Sequence, residues 1–382
     1  MFDSLVDFVR QQFDQSNSIG LHEPRFGERD RQALIEVIDS GMVSSVGQCV
    51  DEFEQLIASY AGAAHGIATV NGTSALHVSL LVAGVIPGDL VLTQSLSFVA
   101  TCNAISYCGA EPVFIDVDRQ SLGLAPAALQ EFLESQTELR DDGCCWHIET
   151  NRRIPVCMPM HTFGFPASIH QIAQLCLAHG LQLVEDSAEA LGSWHTGVHC
   201  GVAGNLGVLS FNGNKIMTTG GGGMVLTNDA ELAKRVRHLT TTARVTEPLK
   251  WLHDEVGFNY RLPNLNAALG IAQFASLEHA LMCKRKLANN YLQWSHENDR
   301  DMIAEQPGTQ ANHWLNALIC NSVEERDQLL EYTCRQGVLS RPVWVPMHRL
   351  SMYEHCLHGT LENTQWAAAH ILNLPSSVPH GW

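Results

Sequence analysis

The stretch "HGIATVNGTSALHVSLLVAG", residues 65–84, decides the fold class because a short apolar run passes through a turn of small residues into a helical pattern. Further apolar, β-branched runs lie at 90–93, 112–117, 154–160 and 181–186, and the first three of these lead into amphipathic stretches. Buried strands that alternate with helices in this way predict a mainly parallel sheet covered on both faces. We therefore expect an α/β domain.

A second, smaller lobe is expected from the length of the chain. Its 382 residues, 45% of them hydrophobic, exceed the size at which a single core usually divides. We divide the chain into an N-terminal segment that packs on the small lobe (1–50), a large α/β domain (51–250) and a small C-terminal domain (251–382). In the last of these, the helical pattern predicts one long helix over about 264–294, and "HWLNALIC" followed by "SVEERDQLLEYTCRQG" predicts a strand and a helix.

Composition argues against several classes of protein. No run of about 18 apolar residues occurs, and the first residues, "MFDSLVDFVRQQFDQ", carry acidic side chains where a secretory signal is basic, so we expect a cytoplasmic protein without a membrane partner. A formal charge of -17 disfavours nucleic acid as a partner. The twelve cysteines are scattered and form no CxxC motif. They are expected to be reduced core residues, and no metal site is expected.

One lysine stands out by its isolation. Lys215 is the only Asp, Glu, Lys or Arg between Glu189 and Asp229, and two predicted strands, "GVLSF" and "GMVLT", flank it. An exposed surface would carry more charge, so Lys215 is predicted to be enclosed. Neutral surroundings favour the uncharged amine that forms a Schiff base with an aldehyde. Phosphate binding is the alternative role, although "GNKIMTTGGGG" lacks the order of a P-loop.

Three other segments place unusual residues just after predicted strands, where ligands bind in open parallel sheets. In "VNGTSAL", Gly72 and Thr73 lie at a helix start that favours an anion, unless the segment is a plain capped turn. In "LVEDSAEALG", Asp186 and Glu189 end a buried strand, where carboxylates need a cation or a donor unless solvent reaches them. Phe98 offers a flat face for a ring, or is an ordinary core aromatic.

These features together match one ligand. A phosphate cradle, a carboxylate, an aromatic face and an imine-forming lysine are the groups that pyridoxal 5'-phosphate requires, with the carboxylate keeping the pyridine nitrogen protonated. The combination is a stronger signal than any of its members. We therefore expect a pyridoxal-phosphate enzyme.

At these residues the chain resembles the DegT/DnrJ/StrS family of pyridoxal-phosphate-dependent sugar aminotransferases. The resemblance runs from about residue 41 to 377, and "VNGTSALH", "FVATCNAISYCGAEPVFIDVD", "VEDSAEALGS", "SFNGNKIMTTGGGGM" and "GFNYRLPNLNAALG" occur in family order and spacing. It implies fold type I, the aspartate-aminotransferase-like fold, with a mainly parallel sheet in a large domain and a smaller α+β domain. It also implies a homodimer with shared active sites.

The resemblance assigns a role to each candidate residue. It implies that Lys215 is the Schiff-base lysine and that Asp186 is the partner of the pyridinium nitrogen. It further implies a phosphate site made by Gly72, Thr73 and Ser210 with Asn259 of the neighbouring subunit, stacking by Phe98, and Glu189 near the phenolic oxygen, where many members have glutamine or histidine. His161, Arg341 and His348 would approach the substrate, although ordinary surface basic residues are equally compatible with the sequence.

The substrate expectation comes from the wording of "GMVSSVG", "MHTFG" and "SFNGNKIMTTGGGGM", which is similar to the LegC-like subgroup. This similarity implies transfer of an amino group, from L-glutamate, to a UDP-linked 4-keto-6-deoxy-N-acetylhexosamine on the way to legionaminic acid or bacillosamine-type sugars. Alternatives are a 3-keto or dTDP-linked acceptor, a non-catalytic pyridoxal-phosphate-binding sensor, and a binding module without cofactor. Lys215 argues against the dehydratase branch of the family, which carries histidine there.

Overall fold

The computed structural model describes residues 2–13, 18–247 and 250–379. The α-helices of these residues are α1 (Phe2–Phe13), α2 (Glu28–Ser40), α3 (Gln48–Ala61), α4 (Gly72–Val82), α5 (Val99–Tyr107), α6 (Pro126–Gln136), α7 (Ile169–Ala178), α8 (Ala230–Thr240), α9 (Asn264–Phe274), α10 (Leu277–Glu297), α11 (Val323–Arg335) and α12 (Glu362–His370). Single turns of 3-10 helix occur at Thr162–Gly164 and Met347–Arg349.

The strands are β1 (His65–Thr69), β2 (Leu90–Gln94), β3 (Glu111–Ile115), β4 (Thr137–Leu139), β5 (Cys145–His147), β6 (Arg152–Ile154), β7 (Val156–Met158), β8 (Gln182–Asp186), β9 (Trp194–His195), β10 (Val198–His199), β11 (Leu206–Ser210), β12 (Gly223–Thr227), β13 (Arg244–Glu247), β14 (Lys250–His253), β15 (Asp301–Met302), β16 (Thr309–Gln310), β17 (Asn316–Ile319), β18 (Arg341–Pro342) and β19 (Ile371–Leu374). β4–β6, β9–β10 with β16, and β13–β14 form small antiparallel sheets.

The central sheet has seven strands in the order β1-β12-β11-β8-β7-β2-β3. The pairs from β11 to β3 are parallel, whereas β12 runs antiparallel to both β1 and β11. The predicted mainly parallel α/β sheet is therefore confirmed. Strand β12 is antiparallel because the loop that carries Lys215 connects it to β11, its neighbour in the sheet. The chain reverses direction in this loop.

Helices cover both faces of this sheet, and the alternation of side chains along a strand shows why. In β2, Val91 packs in the cluster that includes residues of α4, α5 and α8, whereas Leu90 and Leu92 pack in the cluster of α6 and α7. Successive side chains of a strand point to opposite faces, so a strand buried on both sides reads as a continuous apolar run. This is the pattern from which the fold class was predicted.

The smaller sheet has the order β15-β17-β19-β18, and β17 and α11 match the strand and helix predicted there. Helix α1 packs against it, since Leu5 and Val9 share a cluster with Leu287 of α10 and Leu372 of β19. Helices α2 and α3 both pack on α9, and α3 also packs on β1 of the central sheet. The division into three segments remains a prediction.

The helical pattern predicted over about 264–294 is confirmed, but it forms two helices rather than one. The structure has two helices there, α9 and α10, separated by a turn at Ala275 and Ser276 in which the Ser276 N–H donates to the Gln273 carbonyl at 3.0 Å. Neither glycine nor proline marks this turn, so the helical pattern runs through it without interruption.

Two further expectations concern the chain as a whole. The twelve cysteines are all free, and most of them are buried, as predicted. Among the described residues, none of the helices combines the length and the apolar character that crossing a membrane requires.

Candidate active site

A cavity of about 310 Å³ lies where the parallel strands of the central sheet end. The structure brings seven of the predicted residues together around it, although they come from four separate segments: Gly72, Thr73, Phe98, Asp186, Glu189, Ser210 and Lys215. They meet because β2, β8 and β11 are parallel, so the residues that follow them lie at the same edge of the sheet.

The N-terminus of α4 forms an anion cradle. The side chain of Asn71 caps this helix by accepting the Ser74 N–H at 2.7 Å. The N–H groups of Gly72 and Thr73 belong to the first turn, where a helix offers them no carbonyl partner, and both residues line the cavity. A Cβ on Gly72 would lie 3.0 Å from the Cβ of Ser210, so any larger residue would crowd the serine. Backbone donors, a hydroxyl and the helix dipole converge there, as a phosphate requires.

Asp186 is the last residue of β8, and its side chain is held by two donors. The Thr101 hydroxyl donates to Oδ2 at 2.7 Å, and the Ala188 N–H donates to Oδ1 at 3.2 Å. The residue is only 2% exposed, and this burial raises its pKa. A buried carboxylate of this kind gains from a cationic partner, which a protonated pyridine nitrogen would provide.

Lys215 is enclosed, in agreement with its isolation in the sequence, since its side chain is 12% exposed. Its surroundings, however, are not neutral: Nζ lies 3.1 Å from Oε1 of Glu189. Nζ also lies 4.0 Å from the centre of the Trp314 ring, a cation–π contact. The expectation of an uncharged environment was wrong because Glu189, 26 positions away along the chain, folds back onto the lysine.

Glu189 is itself fixed on its other oxygen. The N–H of Phe163 donates to Oε2 at 2.9 Å, and the amide of Asn312 donates to the backbone carbonyl of Glu189 at 2.8 Å. Burial raises the pKa of Glu189 to about 7, although the nearby Lys215 opposes this effect. The carboxyl group therefore changes its protonation state near neutral pH, directly beside the amine.

Trp314 is a site residue that the sequence did not reveal. Its indole N–H donates to the Asn214 carbonyl at 2.7 Å, and its backbone N–H donates to the Asn312 side chain at 2.8 Å. Its own carbonyl accepts a bond of 3.2 Å from Nζ of Lys284, a lysine that is 1% exposed. The indole is thereby locked over Lys215. In the sequence, Trp314 was interpreted as part of an apolar strand, and nothing local marks it as functional.

Phe98 lies at the mouth of the cavity and is 48% exposed. Its ring centre is 6.2 Å from that of Trp344, which also lines the cavity, and Trp344 in turn contacts Phe163 at 5.0 Å. An exposed phenyl ring beside a polar cavity has a free face for another ring to stack on.

The structure places His161 away from the substrate side of the cavity, contrary to expectation. Its ring is fully buried: Nε2 lies 3.0 Å from Oε2 of Glu185, and Nδ1 accepts the Ala167 N–H at 3.0 Å. Burial lowers the pKa of His161, whereas Cys200 and Glu185 raise it. Because Nδ1 accepts a hydrogen bond, the ring is neutral and carries its proton on Nε2, facing Glu185. Burial raises the pKa of Glu185, but His161 and backbone N–H donors lower it by more, so that it lies below its ordinary value. Both nitrogens of the ring are thus used inside the protein.

Three further candidates do not line the cavity either. Arg341 is exposed on β18 and donates to the Ser340 carbonyl at 2.9 Å. His348 lies 2.7 Å from the Ser95 hydroxyl through Nδ1. Asn259 is exposed, and it accepts a long bond of 3.4 Å from Arg261. An asparagine in this position is available to another molecule, but it does not complete the cradle of its own chain.

Among the described residues, two groups have the composition of metal ligands: Glu111 with His355 and Cys356, and His238 with Asp254 and Glu255. Neither group borders the cavity. In the second group, Arg235 already forms an ion pair with Glu255, which supplies the positive charge that a cation would bring.

The donors and acceptors of this cavity fit pyridoxal 5'-phosphate. The cradle at α4 matches its phosphate, Asp186 its pyridine nitrogen, Phe98 its ring and Lys215 its aldehyde. An α/β protein with this fold and this set of groups is a pyridoxal-phosphate-dependent enzyme of fold type I.

Comparison with known proteins identifies the family. The model of the DegT/DnrJ/EryC1/StrS aminotransferase family matches residues 24–379, and the chain belongs to that family. It is 33% identical to GDP-perosamine synthase of Caulobacter vibrioides over 94% of this chain and 93% of the relative. It is 31% identical to the putative pyridoxal phosphate-dependent aminotransferase EpsN of Bacillus subtilis over 95% and 91%. The crystal structure of the aminotransferase TlmJ from Streptoalloteichus hindustanus matches with a TM-score of 0.85 and 29% identity, over 94% and 93%.

Proposed function

We propose that this protein transfers an amino group from an amino acid to a nucleotide-linked ketosugar. The observation that carries the proposal is the position of Lys215, an enclosed amine in the same cavity as the anion cradle and Asp186. Relatives at 30–33% identity over more than nine tenths of the chain carry the name GDP-perosamine synthase, which supports a sugar nucleotide as the acceptor.

The chain supplies binding, orientation and proton transfer. When bound, pyridoxal phosphate supplies an aldehyde that condenses with amines and a ring that accepts electrons. Gly72, Thr73 and Ser210 would hold its phosphate, and Asp186 would keep a proton on the pyridine nitrogen. Lys215 would take a proton from one carbon and return it to the next as general base and acid, and Glu189 would orient its amine through the 3.1 Å contact.

The finer form of the proposal names the two substrates. L-Glutamate is the proposed donor, and a UDP-linked 4-keto-6-deoxy-N-acetylhexosamine is the proposed acceptor, for amino sugars of the legionaminic acid or bacillosamine type. The likeness to the LegC-like subgroup supports this choice. The names of the GDP-perosamine synthases support a GDP-linked acceptor as the second candidate. A dTDP-linked or 3-keto sugar is the third candidate acceptor.

We further propose a cytoplasmic homodimer with shared active sites. Asn259 supports it, because this residue is exposed and lies outside its own chain's cavity. In a dimer it would complete the phosphate site of the neighbouring copy.

The test is amination of a panel of UDP-, GDP- and dTDP-linked ketosugars by the holoenzyme with glutamate, with product configuration determined by NMR. We expect turnover of at least one UDP- or GDP-linked 4-ketosugar. Lys215→Ala should abolish turnover, whereas the matched variant Lys234→Ala should not, because Lys234 is exposed near Glu231 on α8. No amination of any ketosugar by an enzyme that still accepts the amino group of glutamate would overturn the acceptor class. Wild-type rates for Lys215→Ala would overturn the role of the lysine.

A further inference from the structure

A second and larger cavity, of about 590 Å³, adjoins the site described above. Its walls are the segment 22–30, helix α9 and the first turns of α10, and we call it the 22–30 cavity. Lys215 lines both cavities. Both cavities therefore border the residue whose amine would take part in amino-group transfer.

The two volumes divide naturally between cofactor and substrate. Sites for ligands of drug size occupy about 300–1,000 Å³, so a cavity of about 310 Å³ has room for the cofactor and the reacting part of a sugar. A nucleotide-linked sugar is much longer, and its remaining part has to extend away from Lys215. The 22–30 cavity begins at that residue and offers nearly twice the volume.

The buried charge of the 22–30 cavity is positive. Lys284 is 1% exposed and is bonded to the carbonyls of Trp314 and Ser376 rather than to a described carboxylate. Within the described residues, Arg25 also forms no ion pair, and burial lowers its pKa. An anion in the cavity would stabilise the charged form of both side chains.

The acidic residues of the wall do not offset this charge. The carboxyl group of Asp30 is already occupied, since it accepts the Gly27 N–H at 2.6 Å and the Gln273 amide at 2.8 Å. Glu23 and Glu28 are both exposed to solvent, and Glu28 lies 3.5 Å from Arg31. The interior of the cavity is therefore suited to an anion, while carboxylates remain at its rim.

His22 is the second, independent sign of a ligand. Neither ring nitrogen is exposed, and neither forms a well-aligned hydrogen bond within the described residues, although the backbone of Asn214 lies near the ring. Burial lowers the pKa of His22 well below its ordinary value, and the charges of Lys284 and Lys215 lower it further. Buried polar groups without partners are costly, and their presence in a cavity points to a ligand that satisfies them.

We propose that the 22–30 cavity binds the nucleoside diphosphate part of the acceptor substrate, with Arg25 and Lys284 facing the diphosphate and His22 donating a hydrogen bond to it. The inference rests on the proposed function and deepens it, because it assigns a place to the part of the substrate that does not react. The base is not specified by these contacts.

The test is isothermal titration of UDP, GDP, dTDP and inorganic phosphate into the holoenzyme and into the variants Arg25→Ala and His22→Leu. Arg140→Ala serves as the matched control, because Arg140 pairs with Glu138 and borders neither cavity. We expect one nucleoside diphosphate to bind the wild type, and each cavity variant to bind it about tenfold more weakly or worse, as expected for the loss of a contact to a charged group. The control should bind it as the wild type does.

Three results would overturn the proposal: unchanged affinity in both cavity variants, equal loss in the Arg140 control, or binding of inorganic phosphate as tight as that of every nucleoside diphosphate. Retention of the cofactor, read from its visible absorbance, verifies that each variant is folded. Failure of the proposed function would give a different result. A protein that binds nucleoside diphosphates in this cavity but aminates no ketosugar would support the binding site and refute the proposed amino-group transfer.

Discussion

Replacement of Glu189 by glutamine should remove a pH dependence from the stability of the cofactor-free protein. Burial raises the pKa of Glu189 from 4.5 to about 7, so between these values the folded state binds a proton that the unfolded state has released. Stability from this group is fully present below about pH 4.5 and is lost as the pH rises through about 7. At about 1.4 kcal/mol per pH unit, the loss amounts to about 3 kcal/mol.

The substitution also has a cost that does not depend on pH in the same way. Glu189 accepts from both Lys215 and the Phe163 N–H, whereas glutamine has one acceptor oxygen. One donor is left without a partner, which costs about 1–3 kcal/mol. At about pH 8 the two effects leave a net gain of roughly 0–2 kcal/mol, so the pH slope rather than a single stability value carries the test.

Urea unfolding of the wild type and Glu189→Gln between about pH 5 and pH 8 measures this slope. The wild type should lose stability relative to the variant as the pH rises. Glu324→Gln is the control, because its own backbone N–H and the Ser322 side chain hold the pKa of Glu324 low, so that it stays ionised over this range. Its offset from the wild type should be constant. A Glu189→Gln curve that runs parallel to the wild type would refute the raised pKa.

Three other substitutions test separate parts of the site. Asp186→Asn should lower kcat by about 100-fold or more while the phosphate cradle retains the cofactor, and full activity measured with glutamate would contradict its role. Gly72→Ala should weaken cofactor binding by about tenfold, since the new Cβ crowds Ser210 at 3.0 Å, and an unchanged Kd in equilibrium dialysis would remove the argument. Burial lowers the pKa of Lys284 from 10.5 to about 7, so the stability of the wild type should rise as the pH increases between these values. Urea unfolding of Lys284→Met should show no such rise. A rise retained in this variant would contradict the lowered pKa of Lys284.

The sequence was sufficient for the parallel strands of the sheet and, together with the family resemblance, for seven of the residues that line the cavity. Continuous apolar runs identify strands buried on both faces, and parallel strands bring the residues after them to one edge. Gly72, Asp186 and Lys215 could be grouped on that basis before any coordinates were known. The sequence did not predict that β12 is antiparallel, because an apolar run does not indicate in which direction its strand lies in the sheet.

The remainder of the site depends on contacts between distant segments. Trp314 lies about a hundred positions after Lys215 and belongs to a stretch that reads as core, so only folding reveals that its indole covers the amine. The pairing of Glu189 with Lys215 escaped notice for the same reason, since a local count of charges describes a sequence neighbourhood and not a spatial one. His161 was assigned to the substrate from the family resemblance, and nothing in the sequence shows that it pairs with Glu185 in the interior.

The central claim is that Lys215 is the residue that carries the cofactor. Borohydride reduction of the holoenzyme fixes a Schiff base as a stable amine, and peptide mapping by mass spectrometry then locates it. A single modified peptide containing Lys215, absent from Lys215→Ala, is the predicted result. A cofactor attached instead to Lys284, the buried lysine of the neighbouring cavity, or the absence of any reduced adduct in a coloured enzyme, would contradict the account.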